Sequence, residues 1–173
     1  MNTEPEAGEA GAPPEALTPI DRLLAERACE RLLLELVHRL DLGEPGGVAE
    51  LFTPDGVWEW PEDGRRFVGR DALRGYFAGR PADRLSRRMS TNLLVTVTSP
   101  TTARATSYFA TYRVDGYTGG LLPPRAPTQV GHYTDAFRRL DGEWLLAHRV
   151  LTLSFGGPTE RLAAPVSPPS GPR

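Results

Sequence analysis

Apolar residues recur at helical spacing through the first third of the chain. Leu23, Leu24, Cys29, Leu32, Leu33, Leu36, Val37 and Leu40 form one broad stripe, which predicts a long helix from Thr18 to about Asp41. Thr18 can cap that helix, Pro19 fits its first turn, and Asp21 suits the positive end of its dipole. Gly43, Pro45, Gly46 and Gly47 break the pattern, and Val48 to Phe52 reads as a short second helix. The period then changes to two. Gly56 to Trp60 reads as a strand with Trp58 and Trp60 on one face, followed by a turn over Pro61 to Gly64 and a return strand over Arg65 to Val68. A third helix is expected over Asp71 to Ala78.

Four long strands follow. Arg87 to Thr98 is rich in β-branched residues and ends at Ser99-Pro100, and Thr102 to Tyr112 is its partner. Thr128 to Leu140 and Glu143 to Phe155 flank Asp141-Gly142, a type I′ hairpin signal. Between the two pairs, the Gly/Pro-rich stretch 116–127 is long enough for a lid or pocket rim. Helices grouped in the N-terminal half and strands after them predict an α+β domain: a cone-shaped, strongly curved antiparallel sheet packed on three helices. Such a cone encloses a mostly apolar pocket with a few inward polar groups.

Composition sharpens this reading. Hydrophobic residues make up 39% and charged residues 24%, ordinary for one globular domain of 173 residues. Residues 1–17, with four glutamates among Pro, Gly and Ala, and residues 156–173, rich in Pro, are expected to be disordered tails around a domain at 18–155. The first tail alone carries −4 against a net charge of −2 for the chain, which leaves the rest close to neutral. The near-neutral body argues against nucleic-acid binding. The single Cys29 allows no internal disulfide and reads as a packed thiol, and no Cys/His spacing points to a metal. No apolar run is long enough to span a membrane and the acidic N-terminus does not read as a signal peptide, so a cytoplasmic location is expected.

Several segments, taken in order, resemble a known family. They are His38-Arg39-Leu40-Asp41-Leu42-Gly43-Glu44, Leu51-Phe52-Thr53-Pro54-Asp55-Gly56-Val57-Trp58, Gly69-Arg70-Asp71-Ala72-Leu73, Arg87 to Asn92, Ala103 to Tyr112, and Gly131-His132-Tyr133-Thr134-Asp135 through to Arg149. Over roughly Thr18 to Phe155 the chain resembles the SnoaL-like, scytalone dehydratase-like branch of the nuclear transport factor 2-like superfamily. The resemblance implies the cone fold and a homodimer through the outer sheet face, where Leu93, Val95 and Val97 would lie. It also implies a cofactor-free lyase, isomerase or cyclase acting on a small apolar carbonyl metabolite of polyketide or terpenoid type, as in specialised metabolism. The superfamily also holds non-catalytic binding domains and epoxide-opening enzymes, and fold alone does not choose among them.

The resemblance assigns site residues one by one. Asp41 matches the aspartate that ends the first helix in dehydratase-like members. Their Arg-His-x-x-(Ser/Thr)-Asn pattern reads Arg87-Arg88-Met89-Ser90-Thr91-Asn92 here, so Arg88 stands where the catalytic imidazole is usual. A desolvated Asp41 can serve as a base; Arg88, which cannot be a general acid, can clamp a carboxylate or an oxyanion, or form a structural ion pair with Asp41. His38, three residues before Asp41 on one helix face, and His132 on a strand are candidate imidazoles. Asn92 should share a strand face with Arg88 and reach a ligand carbonyl. Trp58, Trp60 and Tyr108 suit the wall of a pocket for a flat ligand. Arg113 and Asp115 alternate on one face, as a strand-end pair or as part of an epoxide-opening site.

Overall fold

The computed structural model describes residues 17–163. Helix α1 runs over Pro19–Leu42 and is capped as expected, with the Asp21 amide donating to Thr18 Oγ1 at 3.1 Å. Its buried stripe is Ala25, Cys29, Leu32, Leu33, Leu36 and Leu40. Leu23 and Leu24, assigned to the stripe from sequence, are exposed. The thiol of Cys29 is packed in the core, and burial pushes its pKa up to about 12. A 3-10 helix over Pro45–Leu51 replaces the expected Val48 to Phe52 helix. Helix α2 spans Arg70–Ala78 and buries Leu73 and Phe77, four residues apart. No helix among the described residues is long and apolar enough to cross a membrane.

The strands are β1 (Phe52–Trp60), β2 (Arg65–Val68), β3 (Leu85–Ser99), β4 (Thr102–Asp115), β5 (Gln129–Leu140), β6 (Glu143–Gly156) and β7 (Glu160–Arg161). Their spatial order is β2-β1-β6-β5-β4-β3, with β7 against the end of β4. The sheet is mixed rather than purely antiparallel. β1 lies parallel to β6, and β7 parallel to β4, because both reach the sheet by crossing over rather than by a hairpin. Register shifts in β3 and in the β5–β6 pair bend the long strands. The curled sheet closes over α1, which packs on β3 and β6, and makes the α+β cone. The β5–β6 turn takes positive φ at both Asp141 and Gly142, as a type I′ turn requires.

The chain after β6 returns to the sheet. Glu160–Arg161 pair with Val114 and Asp115, the Leu162 amide donates to the Asp115 carbonyl at 2.8 Å, and Arg161 bonds Asp83 at 2.7 Å. Gly116 lets this segment in: a Cβ there would stand 2.9 Å from the Leu162 carbonyl, at a φ of +75°. Residues 156–163 therefore have a defined course, unlike the tail expected from 156 onward. The rest of that tail and residues 1–16 lie outside the described residues.

Candidate functional site

A partly open cavity of about 410 Å³ lies between α1, α2 and the concave face of the sheet. Its apolar wall is Leu36 and Leu40 from α1, Trp58 and Trp60 from β1, Tyr76 and Phe77 from α2, and Leu151 from β6. Trp58 packs on Tyr76, with ring centroids 4.9 Å apart. The expected lid at 116–127 contributes nothing to this wall. Gly157, Pro158 and Thr159 form the rim instead.

The polar lining is cationic. Arg65, Arg80, Arg84, Arg88, Arg113 and Arg149 all reach the cavity, and among the described residues no carboxylate and no histidine lines it. Three of these arginines are tied to aspartates set behind the wall. Arg88 pairs with Asp41, and Arg84 grips Asp115 through two bonds of 2.6 and 2.9 Å. That grip holds the Asp115 carboxyl below the usual carboxylate range. Arg149 faces Asp135, with Nε 3.6 Å from Oδ1. At the rim, the half-exposed Arg65 pairs with Asp63.

Arg80 and Arg113 have no carboxylate partner among the described residues. Arg80 donates to the Leu40 carbonyl and to Ser86 Oγ, both at 2.8 Å. It thereby satisfies the end of α1, where a cation is favoured. Burial, with Arg88 alongside, brings its pKa down to about 10. The Arg113 guanidinium makes no hydrogen bond among the described residues, and its buried Nε has no partner. Burial and then the charges of Arg84 and Arg88 depress its pKa too. The four guanidinium groups 80, 84, 88 and 113 thus crowd one end of the cavity.

Arg149 marks the other end. β6 pairs its backbone with Asp135, and its guanidinium reaches back over Tyr133, four residues along β5 from Gln129, which pairs with Thr111 near Arg113. Four strand residues span roughly 13 Å. Arg149 is 2% exposed and stacks over Tyr133, 3.7 Å from the ring centroid, and Tyr133 in turn stacks on Phe109. Among the described residues its Nε and Nη1 have no hydrogen-bond partner, nor has either oxygen of Asp135. Desolvation raises the Asp135 pKa to about 6 despite Arg149. The buried Trp60 Nε1 is a further free donor.

The structure sorts the residues assigned from sequence. Asp41 and Arg88 do meet, but the carboxylate is buried behind the wall. It accepts from the Arg88 guanidinium, from the Arg88 amide at 2.5 Å and from Ser86 Oγ at 2.7 Å. Its place as a free base facing the ligand is not what this geometry provides. Trp58, Trp60 and Arg113 line the cavity, with Arg113 unpaired rather than bonded to Asp115. His38 is exposed on α1. His132 pairs in register with Tyr108, and both project from the outer face, Tyr108 being 57% exposed. Asn92 is also turned out. It sits with φ +52° where β3 carries two residues against one on β4, which flips the alternation after Arg88 and Ser90. The same flip turns Leu93, Val95 and Val97 toward the core and leaves Met89 and Leu94 on the outer face.

Sequence reasoning missed Arg80, Arg84 and Arg149. One signal was present: the chain has no lysine, and all 20 of its Lys+Arg residues are arginine, the type suited to buried pairs. It does not say which arginines turn inward.

A curled sheet on three helices, hollow at one end, is a cone-type α+β domain. The chain belongs to the SnoaL-like domain family, whose model matches residues 21–150. No curated protein matches it. Among solved structures it is similar to Rv3472 of Mycobacterium tuberculosis, a protein of unknown function, at 25% identity and TM-score 0.64 over 76% of this chain and 77% of that one. A putative scytalone dehydratase from Novosphingobium aromaticivorans matches at 24% and 0.64, over 80% and 89%. ActVI-ORFA from Streptomyces coelicolor matches at 22% and 0.63, over 76% and 97%. The last two likenesses bear on the fold.

Proposed function

We propose that the protein is a cofactor-independent enzyme of the lyase, isomerase or cyclase type, acting on a small, flat, enolisable carbonyl compound such as a polyketide- or terpenoid-like metabolite. The observation that carries this reading is an aromatic and aliphatic wall facing a set of buried guanidinium groups in one cavity. The wall holds rings. Arg149 stabilises the oxyanion that forms when a proton leaves the carbon next to a carbonyl, and a preorganised cation in a water-poor site lowers that barrier most. Asp41 is a positioning residue, because it and Ser86 fix Arg88. With no carboxylate or imidazole at the wall, the electrostatic contribution dominates. The proton of an already acidic α-carbon, such as the benzylic one of a β-tetralone, passes to a water molecule that enters the partly open cavity with the substrate. The scytalone dehydratase name of one neighbour agrees with this class.

The bare wall also favours a second reading, a non-catalytic binder of the same ligands. Epoxide opening has less support, since Asp115 is held by Arg84 and does not reach the cavity. A homodimer through the outer sheet face is supported by the exposure of Met89, Leu94 and Tyr108 there.

Deuterium exchange at the α-carbon of 2-tetralone, followed by proton NMR in D₂O, tests the enzyme reading. The protein should accelerate exchange over buffer, and Arg149→Gln with native near-ultraviolet circular dichroism should lose about 100-fold of the acceleration. Binding without acceleration supports the binder instead.

A further inference from the structure

The two ends of the cavity differ in charge balance. At the inner end Arg149 has Asp135 beside it, so the charges there cancel. At the mouth four arginines face two aspartates, Asp41 and Asp115, both already bonded behind the wall. Arg80 spends its donors on the Leu40 carbonyl and Ser86. Arg113 spends none on any described residue, and Arg84 and Arg88 repel it. An unpartnered guanidinium pressed by like charges in a half-buried site is relieved by an anion, and its planar fork matches a carboxylate through two parallel bonds. The balanced inner end suits a neutral carbonyl on which charge appears only during reaction.

Resting on the pocket reading above, we propose that the substrate is itself a carboxylate: a flat, ring-containing acid whose carboxylate is seated on Arg113 at the mouth while its reacting carbonyl lies toward Arg149. The aromatic wall between the two ends holds the rings, with Trp58 and Tyr76 at its centre. This makes charge a criterion for entry. A neutral analogue of the same shape leaves Arg113 buried and unmatched, and loses the charge-assisted bonds that the acid gains.

Anthraquinone-2-carboxylate and anthraquinone-2-carboxamide differ in charge and little in shape. Their binding is read from quenching of tryptophan fluorescence and checked by calorimetry at low salt. The carboxylate should bind at least about tenfold more tightly. Arg113→Gln should bring the ratio close to one by weakening the carboxylate. Arg104→Gln, on the exposed outer side of β4, should keep the ratio, so a loss there would assign the preference to overall charge and overturn the proposal. Equal affinity of the parent protein for both compounds overturns the carboxylate assignment and leaves the pocket reading standing. If neither compound binds, the carboxylate assignment falls together with the pocket reading.

Discussion

Of the three aspartate–arginine pairs behind the cavity wall, two are built in opposite ways. Asp41, at the end of α1, takes bonds from Ser86, the Arg88 amide and the Arg88 guanidinium. Asp135, on β5, is buried more deeply still, yet neither oxygen has a hydrogen-bond donor among the described residues, and Arg149 stands 3.6 Å away. The first pair is satisfied and ties helix to sheet. The second is held by charge alone, and desolvation raises the Asp135 pKa to about 6. Burial by itself therefore does not decide what an ion pair does. A bonded carboxylate becomes a fixed part of the frame, whereas an unbonded one stays close to losing its charge.

Breaking the first pair should have the largest effect. Asp41→Ala leaves Arg88 buried without its counter-ion and Ser86 without its acceptor. We expect a loss of about 3–5 kcal/mol in urea unfolding. A loss under about 1 kcal/mol would mean that this pair stabilises no more than a surface one.

The second pair should show itself through pH. An aspartate whose pKa rises on folding binds protons more tightly in the native state, so its contribution to stability falls as pH rises from the unfolded value near 4 to the folded value near 6. The stability of the parent protein minus that of Asp135→Asn should drop by up to about 3 kcal/mol across that window and stay flat above it. The unmatched Arg149 of the variant adds an offset that does not depend on pH. A flat difference from pH 4 to 7 would mean that Asp135 is solvated or bonded after all.

The same contrast explains what could be read from the sequence. The helices and hairpins follow from patterns that span several residues: a helical stripe, a cap, a turn pair. The Asp41–Arg88 juxtaposition comes from the family resemblance. The errors come from strand parity. In β4 the small residues Ala103, Ala105 and Ser107 point inward and Tyr108 outward, so side-chain size misleads about the buried face. One extra residue near Asn92 reverses the faces of everything after it in β3. Asp135 and Arg149, polar residues on strands, read locally as solvent-facing. Their burial depends on each other, and that pairing across β5 and β6 has no local signature.

Ser86 offers the finest test of the comparison. It is buried, and one hydroxyl serves the whole first pair. It donates to Asp41 at 2.7 Å and accepts from Arg80 at 2.8 Å and Arg88 at 3.2 Å. Ser86→Ala keeps both charges in place and removes the bonds, which moves Asp41 part of the way toward the state of Asp135. The expected cost is about 1–2 kcal/mol in urea unfolding, well below that of Asp41→Ala, because the ion pair and the Arg88 amide bond survive. If Ser86→Ala were as damaging as Asp41→Ala, the hydroxyl and not the charge pairing would be what separates the two sites. If it were silent, the guanidinium and amide of Arg88 would suffice to hold the carboxylate.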